Sequence, residues 1–263
     1  MTRITHLLAQ HGLNIVSMRE FVEEASTRFF TRIECTGMQE SEASVREELQ
    51  ACLPDGSIIE VNPHKEKRVA VMVSREYHCL GEILIHHYFG TLGASVCCVI
   101  GNHSHLEAFT RKFSIPFFHI SHEEKPKEAF EKEVLAVLEA QQPDYIVLAK
   151  FMRILSPDFI ARYEQRILNI HHSFLPAFVG AQPYRQAFER GVKLIGATAH
   201  IVTNNLDEGP IIAQQTIPVN HTFGVKEMIK AGKEIEKAVL NKAMQLLFED
   251  RVFLNENKTI VFE

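Results

Sequence analysis

Several features are missing from this sequence, and each absence excludes a class of protein. The 263 residues contain no tryptophan and only five cysteines, none of which belongs to a C-x-x-C pair. An odd number of scattered cysteines argues against a disulfide framework and against a thiolate zinc site. No apolar run approaches the ~20 residues of a membrane helix, and the N-terminus lacks the apolar core of a signal peptide. We therefore expect a globular, cytoplasmic protein with reduced thiols and no membrane partner.

Charge and histidine content exclude further classes. The 33 acidic residues outnumber the 28 basic ones, which gives a formal charge of −5. Nucleic-acid binding draws on a basic face, so this balance argues against a nucleic-acid partner. The 14 histidines show neither an H-E-x-x-H helix nor Cys/His ligand spacing. No metal site is predicted.

A charged segment that contains proline, residues 63–67, divides the sequence into two predicted domains, 1–62 and 68–263. The smaller domain has an α+β pattern. Apolar residues at helical spacing and runs of alternating character predict the order helix, strand, strand, helix, strand. These elements are a helix carrying Ile4, Leu7 and Leu8, strands Leu13–Val22 and Arg28–Cys35, a helix carrying Val45 and Leu49, and a closing strand Ser57–Val61.

In the larger domain, helical and strand-like segments alternate. The strands are predicted at Arg68–Val73, Ala94–Ile100 and Asp144–Ala149, with helices around Cys79–Tyr88 and Phe130–Leu138. Such alternation predicts an α/β fold with a mostly parallel, doubly wound sheet. Ligands of these sheets lie beyond the carboxyl ends of the strands. The segments 149–153 and 169–172, each at a strand end, are therefore expected to face the same crevice.

Three polar side chains suit acyl transfer. If residues 167–171 form a strand, Asn169 and His171 point to the same face, because strand side chains alternate. Asp207 follows in the turn sequence L-D-E-G-P. An aspartate beside Gly and Pro is also a common turn former, since its side chain can bond its own backbone. Both interpretations of Asp207 stay open on the residues alone.

Three motifs in order along the chain carry a family resemblance. They are A-K-F-M-R-I-L-S-P at 149–157, N-I-H-H-S-F-L-P at 169–176, and G-A-T-A-H at 196–200 leading to L-D-E-G-P at 206–210. Together they resemble the formyltransferases that use 10-formyltetrahydrofolate, over most of residues 68–263. Within that superfamily the chain is most similar to the formyltetrahydrofolate deformylase family, which releases formate and tetrahydrofolate. The resemblance implies a formyltransferase fold preceded by a small ferredoxin-like ACT domain, and a role in supplying formate and balancing one-carbon pools in purine biosynthesis.

The resemblance also implies roles for individual residues. Asn169 suits the oxyanion, while His171 and Asp207 share the proton transfers. The residues do not decide which of those two is the base, and the family favours Asp207. His172 is expected to shape the pocket, and His200 is either a core histidine or a support for the site. The substrate is 10-formyltetrahydrofolate and no prosthetic group is expected; its pterin is expected to contact Met152, Arg153, Leu155, Val202, Thr203 and Asn204.

The segment after the first strand of the larger domain bears on the formyl acceptor. Transfer to a phosphorylated amine requires a glycine-rich turn there, whose backbone N–H groups hold the phosphate. Residues 74–79 contain no glycine, and Glu76 would repel a phosphate. Water is therefore the expected acceptor. The alternatives are formyl transfer to an amine such as glycinamide ribonucleotide, and a protein that chiefly senses a small molecule.

The smaller domain departs from the ACT pattern in one respect. ACT domains resemble a βαββαβ unit, but this sequence begins with the first helix, so the opening strand is expected to be absent. A truncated or mis-started N-terminus with an incomplete regulatory pocket is the corresponding expectation. By resemblance, the expected effector of this domain is an amino acid. Exposed sheet edges in residues 1–62 favour a homodimer or homotetramer.

Overall fold

A computed structural model describes residues 1–37, 41–61, 66–177 and 183–263. The chain forms two compact units, Met1–Lys65 with Phe262–Glu263, and Glu66–Val261. The proposed linker, residues 63–67, falls largely outside the described residues and stays a prediction. Among the parts of the chain that are described, no helix combines the length and the apolar character needed to cross a membrane.

The smaller unit contains α1 (Thr2–Gln10), β1 (Leu13–Glu23), β2 (Arg28–Gly37) and α2 (Glu42–Cys52). Strands β1 and β2 form an antiparallel pair. The two helices supply the core of this unit with Ile4, Leu7, Leu8, Val45 and Leu49. These four elements confirm the predicted helix, strand, strand and helix, and the small antiparallel sheet is consistent with an ACT-like domain.

The predicted closing strand Ser57–Val61 is wrong, because no strand forms there. Within the described residues, β1 and β2 pair only with each other and offer residues 57–61 no neighbouring strand. Ile59 and Val61 instead pack against the helical core, while Ile58, which precedes them, is 93% exposed. The alternating pattern therefore reflects packing of every second side chain, without strand pairing.

The larger unit alternates helices and strands, as predicted. Its elements are β3 (Lys67–Val73), α3 (His78–Tyr88), β4 (Ala94–Gly101), α4 (Glu107–Arg111), β5 (Phe117–His119), α5 (Lys127–Gln141), β6 (Tyr145–Leu148), α6 (Pro157–Arg162), β7 (Ile167–His171), α7 (Pro183–Glu189), β8 (Leu194–Ile201), β9 (Ile211–Pro218), α8 (Val225–Phe248), β10 (Val252–Asn255) and β11 (Lys258–Val261).

Seven of these strands form one sheet in the order β5-β4-β3-β6-β7-β8-β9. The first five are parallel, whereas β8 runs antiparallel to β7 and to β9. In β3, Val69, Val71 and Val73 join the core that contains α3 and α8, while Ala70 and Met72 join the core that contains α5 and α6. Strand side chains alternate between faces, so helices cover both. The predicted mostly parallel, doubly wound sheet is confirmed.

Helix α6 begins at a serine cap that is followed by proline. The Ser156 hydroxyl accepts a hydrogen bond from the Phe159 N–H at 3.2 Å, and Pro157 occupies the first helical position. Glu131 of α5 accepts a hydrogen bond from the Ser156 N–H at 2.8 Å. A capped start fixes where the helix begins. The segment between β6 and α6 is therefore held at both ends, beside the carboxyl edge of the sheet.

Candidate active site

Strand β7 brings the two polar side chains of the N-I-H motif into one network. Its antiparallel register with β8 places Asn169 opposite His200. The Asn169 Nδ2 atom lies 3.2 Å from His200 Nε2, and His171 Nδ1 lies 3.3 Å from the Asp207 Oδ2 atom. Asp207 Oδ1 lies 3.7 Å from His200 Nε2, which is a charge contact beyond hydrogen-bond length. Asp207 therefore faces both imidazoles.

The turn that carries Asp207 is pressed against the end of β8. Asp207 has a left-handed backbone (φ 57°), which aspartate tolerates better than most residues. At Gly209 any Cβ would collide with the carbonyl oxygen of Ile201, and the Ile201 N–H donates to the Pro210 carbonyl at 2.9 Å. Asp207 is thus a turn residue and also a partner of the histidines, so the two interpretations of this residue are compatible.

Asp207 carries a negative charge at neutral pH. Its side chain is 9% exposed, and burial alone would raise the pKa of this carboxyl group. The contacts with His171 and His200 outweigh burial and hold the pKa well below the ordinary value of 3.8. A carboxylate of such low basicity is a poor base toward water. It is better suited to orient the neighbouring imidazoles and to stabilise their protonated forms.

Hydrogen-bond partners assign the protons in this network. His200 Nδ1 lies 3.0 Å from the carbonyl oxygen of Ile201, which only accepts, so Nδ1 carries the proton. In neutral His200, Nε2 then accepts from Asn169 and leaves the second amide N–H of Asn169 available. For His171, Nδ1 faces the carboxylate, while Nε2 is buried and has no partner among the described residues. One amide N–H of Asn169 and the Nε2 atom of His171 are thus left without a protein partner among the described residues.

His172 lies beside the network without joining its hydrogen bonds. Its ring centroid is 5.3 Å from that of His171 and 5.9 Å from that of Tyr184. Burial, aided by the positive charge of Lys150, lowers the pKa of His172 to about 4. His172 is therefore neutral near pH 7 and packs against the ring that contacts Asp207.

The two segments expected to hold a pterin are anchored to different strands of the sheet and share one apolar cluster. The Met152 N–H donates to the Ser74 hydroxyl at 3.1 Å, which ties the end of β6 to the end of β3. The Val202 N–H donates to the Ile167 carbonyl at 2.8 Å. Leu155 and Val202 pack in one apolar cluster. Of the remaining predicted contacts, Thr203 is half-buried, and Met152, Arg153 and Asn204 are exposed.

A second polar group, which we name the Glu236 cluster, was not predicted. It consists of Glu236, His78, Lys150 and Tyr184. Glu236 is 1% exposed, and its oxygens accept hydrogen bonds from His78 Nε2 at 2.8 Å and from Tyr184 Oη at 2.7 Å. Lys150 Nζ forms an ion pair with the same carboxylate at 3.2 Å. One sequence signal could have revealed it, because Glu236 falls within the apolar stripe of α8 between Ile235 and Val239.

The similarity of this chain to known proteins confirms the resemblance. A family model described as Formyl transferase matches residues 67–244. A formyltetrahydrofolate deformylase of Escherichia coli O6:H1 is 46% identical over 99% of this chain and 93% of its own length. The crystal structure of a formyltetrahydrofolate deformylase from Pseudomonas syringae pv. tomato superimposes with a TM-score of 0.96 at 38% identity, over 100% of this chain and 89% of that one.

A transferase shares the fold at lower similarity. The glycinamide ribonucleotide transformylase 1 of Symbiobacterium toebii has a TM-score of 0.73 at 30% identity, and it matches 80% of this chain and 100% of its own. The two deformylases named above match nearly the whole chain, including the smaller unit. The chain belongs to the formyltetrahydrofolate deformylase family.

Proposed function

We propose that this protein hydrolyses 10-formyltetrahydrofolate to formate and tetrahydrofolate, and so supplies formate and balances one-carbon pools in purine biosynthesis. The observation that carries the proposal is the network in which Asn169, His171 and Asp207 meet at the carboxyl edge of the sheet. Family membership supports the same reaction. An amide donor, an imidazole and a carboxylate are the groups that N-formyl hydrolysis requires.

The three side chains have different proposed roles in the reaction, which follow from their hydrogen-bond and charge partners. Water attacks the formyl carbon and charge develops on the formyl oxygen, where the second N–H of Asn169 can donate. His171 Nε2 accepts a proton from the water, because Nδ1 of the same ring faces Asp207. The imidazolium then returns this proton to the leaving nitrogen as the C–N bond breaks. Asp207 holds the productive tautomer and stabilises the imidazolium, in keeping with its low pKa.

The folate is proposed to lie across the segments 152–155 and 202–204. Small-molecule sites combine apolar walls with a few directed polar groups. Leu155 and Val202, which share one cluster, would supply the wall beneath the pterin, with Met152 and Arg153 above it. The backbone groups of Val202, Thr203 and Asn204 would form hydrogen bonds with the polar edge of the pterin. No prosthetic group is part of this proposal.

Water is the proposed formyl acceptor. Residues 74–77, between β3 and α3, contain no glycine, and the Glu76 carboxylate pairs with Lys233 at 2.6 Å. A phosphate brought to this end of α3 would meet a carboxylate, although a helix N-terminus otherwise favours anions. A phosphorylated amine is therefore a poor second substrate.

The smaller unit is proposed to regulate the enzyme, with an amino acid as effector, and to join copies into a homodimer or homotetramer. Its β1 exposes Ile15, Val16, Met18, Phe21 and Val22. Such apolar strand surfaces mark association sites. Light scattering of the purified protein tests the assembly. A cytoplasmic location is supported by the five cysteines, which are all free.

Formate release from 10-formyltetrahydrofolate by the purified protein tests the function, with glycinamide ribonucleotide present as a competing acceptor. We expect formate and no formylated amine. Asn169→Ala should lower turnover by about 10²–10³, the usual loss for one oxyanion donor. A matched control exists, because Asn241 Nδ2 lies 3.1 Å from His86 Nε2 in a similar pair elsewhere. Asn241→Ala should keep wild-type turnover, and formylation of the amine without formate release would refute the proposal.

A further inference from the structure

We propose that Glu76 and the Glu236 cluster determine the acceptor of the formyl group: the chain fills its own amine-acceptor subsite with paired carboxylates, and so excludes phosphorylated amines in favour of water. This inference rests on the proposed hydrolysis. It names the residues that make the reaction a hydrolysis, and it places them in a region of the sheet edge distinct from the network around Asp207.

The position of the carboxylates is the first part of the argument. Strand β3 is an interior strand of the sheet, and α3 begins five residues after it, at His78. In parallel sheets the start of such a helix is the place where phosphate groups are held, because its N–H groups and dipole face the crevice. Here His78, the first residue of the helix, is bound through Nε2 to Glu236, and its Nδ1 lies 3.6 Å from Glu76.

The charges at this helix start are already matched. Glu236 pairs with Lys150 at 3.2 Å, and Glu76 pairs with Lys233 at 2.6 Å. Each lysine would be a suitable phosphate partner, but each one is neutralised by a carboxylate of the chain itself. A phosphate placed here would meet two negative groups and would have to displace both ion pairs. Like charges brought together in a binding site weaken binding and so exclude the wrong ligand.

The surrounding packing is specific to this arrangement. Gly232 lies one helical turn before Glu236 on α8, and any Cβ on it would collide with the ring of Tyr184. The absence of a side chain at Gly232 lets the Tyr184 hydroxyl reach Glu236 Oε1. Lys150 adopts a left-handed backbone (φ 63°), which is unfavourable for a lysine, and its side chain is only 8% exposed. Two departures from ordinary backbone and packing rules thus converge on one carboxylate.

The Glu236 cluster lies beside the reacting groups. Tyr184, which donates to Glu236, contacts the ring of His172, and His172 contacts the ring of His171. One intervening ring therefore separates the cluster from the imidazole that is proposed to activate water. An amine acceptor must present its nitrogen to the formyl carbon from a nearby subsite, and the cluster occupies such a place.

The test is the double variant Glu76→Gln/Glu236→Gln, which preserves side-chain shape while leaving Lys150 and Lys233 without their carboxylates. In this variant the amine nitrogen of glycinamide ribonucleotide should attack the formyl carbon, with the amine proton passing to the leaving folate nitrogen as the C–N bond breaks. We expect the ratio of formylated amine to formate to rise by about tenfold or more, which corresponds to relief of ~1.4 kcal/mol. Inorganic phosphate should inhibit formate release by the variant and leave the wild type unaffected.

The ratio of formylated amine to formate is measured within one reaction, so partial loss of folded enzyme does not change it. The control is Glu131→Gln, which alters another buried carboxylate, one that accepts from Ser156 and lies outside the Glu236 cluster; its ratio should equal that of the wild type. An unchanged ratio in the double variant, together with no inhibition by phosphate, would overturn the inference while leaving hydrolysis intact. Absence of formate release by the wild type would instead refute the proposed function.

A single variant of the exposed residue Glu76 provides a second test if the double variant does not fold. Glu76 is 44% exposed, so Glu76→Gln alone leaves the buried contacts of Glu236 in place. This single variant should show the same two changes in smaller degree. Wild-type behaviour in both measurements would then overturn the inference.

Discussion

Asp207→Asn separates the two roles of Asp207, because asparagine adopts a left-handed backbone as readily as aspartate does. The substitution keeps the size of the side chain and the turn, but it removes the charge that faces His171 and His200. If Asp207 served only the turn, the variant would keep full activity. If it fixes the His171 tautomer, activity should collapse.

The expected magnitude follows from the contact with His171. The carboxylate lies 3.3 Å from Nδ1 and keeps the imidazole proton on that atom, which leaves Nε2 as the base. An asparagine amide can donate to Nδ1, and the proton then moves to Nε2. Losing the correct tautomer in an Asp–His pair costs on the order of 10⁴ in turnover, or ~5 kcal/mol of transition-state stabilisation. The folded state loses less, about 1.5–3 kcal/mol for hydrogen bonds to a charged group.

The assay is formate release at saturating substrate and pH 7, paired with thermal denaturation to show that the variant is folded. Asp250→Asn is the matched control, because Asp250 also has a left-handed backbone (φ 52°) and pairs with Lys67, at the amino end of β3 and away from the network. We expect this control to retain wild-type turnover. Wild-type turnover in Asp207→Asn would refute the role of the carboxylate, and equal losses in both variants would attribute the effect to the turn.

Further predictions concern the Glu236 cluster and its neighbours. Burial would raise the pKa of Glu236, but its partners lower it to about 2; the resulting stabilisation is present above pH 4.5 and is lost as the pH falls toward 2. Lys150→Met should therefore lower the free energy of unfolding by ~3–5 kcal/mol at pH 7, measured by denaturant titration, and by less at low pH. A loss of unfolding free energy that does not change with pH would contradict this. Gly232→Ala should destabilise the protein by about 1–3 kcal/mol through its clash with Tyr184. Gly81→Ala, whose Cβ would meet only the Phe109 ring at 3.8 and 4.0 Å, should stabilise α3 by up to ~1 kcal/mol; equal changes in the free energy of unfolding would exclude the clash. The NMR titration midpoint of His172 should lie at about 4, and a midpoint near 6.5 would disprove its burial as a neutral ring.

Local signals in the sequence were sufficient for most of the larger unit. The apolar segments Arg68–Val73 and Ala94–Ile100 predicted β3 and β4, and Ser156-Pro157 is a local signal for the start of α6. Residues 167–171 formed the expected strand. These signals succeed because alternation, helical spacing and capping act between residues close in the chain. The prediction of a strand at Ser57–Val61 failed for the opposite reason. A strand requires a neighbouring strand to pair with, and the residues of the segment itself do not specify one.

The site was accessible to sequence reasoning only where its residues lie in recognisable motifs. Asn169 and His171 are two residues apart on one strand, so their common face followed from period-two geometry. Their contacts with His200 and Asp207 depend on the register between β7 and β8 and on the close packing at Gly209. Neither register nor loop packing is encoded locally, and the pairing of Asp207 with both histidines became visible only in the fold.

Lys150 and Glu236 were not predicted because each one contradicts its local setting. A lysine in a left-handed, buried position and a glutamate within an apolar helix stripe are both unfavourable when considered singly. Although 86 positions separate them in the sequence, Lys150 and Glu236 form an ion pair in the fold. The free-energy cost of removing each charge from water is offset by the other charge and by the contacts of Glu236 with His78 and Tyr184. A buried ion pair seldom stabilises a protein more than apolar residues of the same volume would. Stability is therefore a weak reason for this arrangement, and control over which molecule approaches the formyl group is a stronger one.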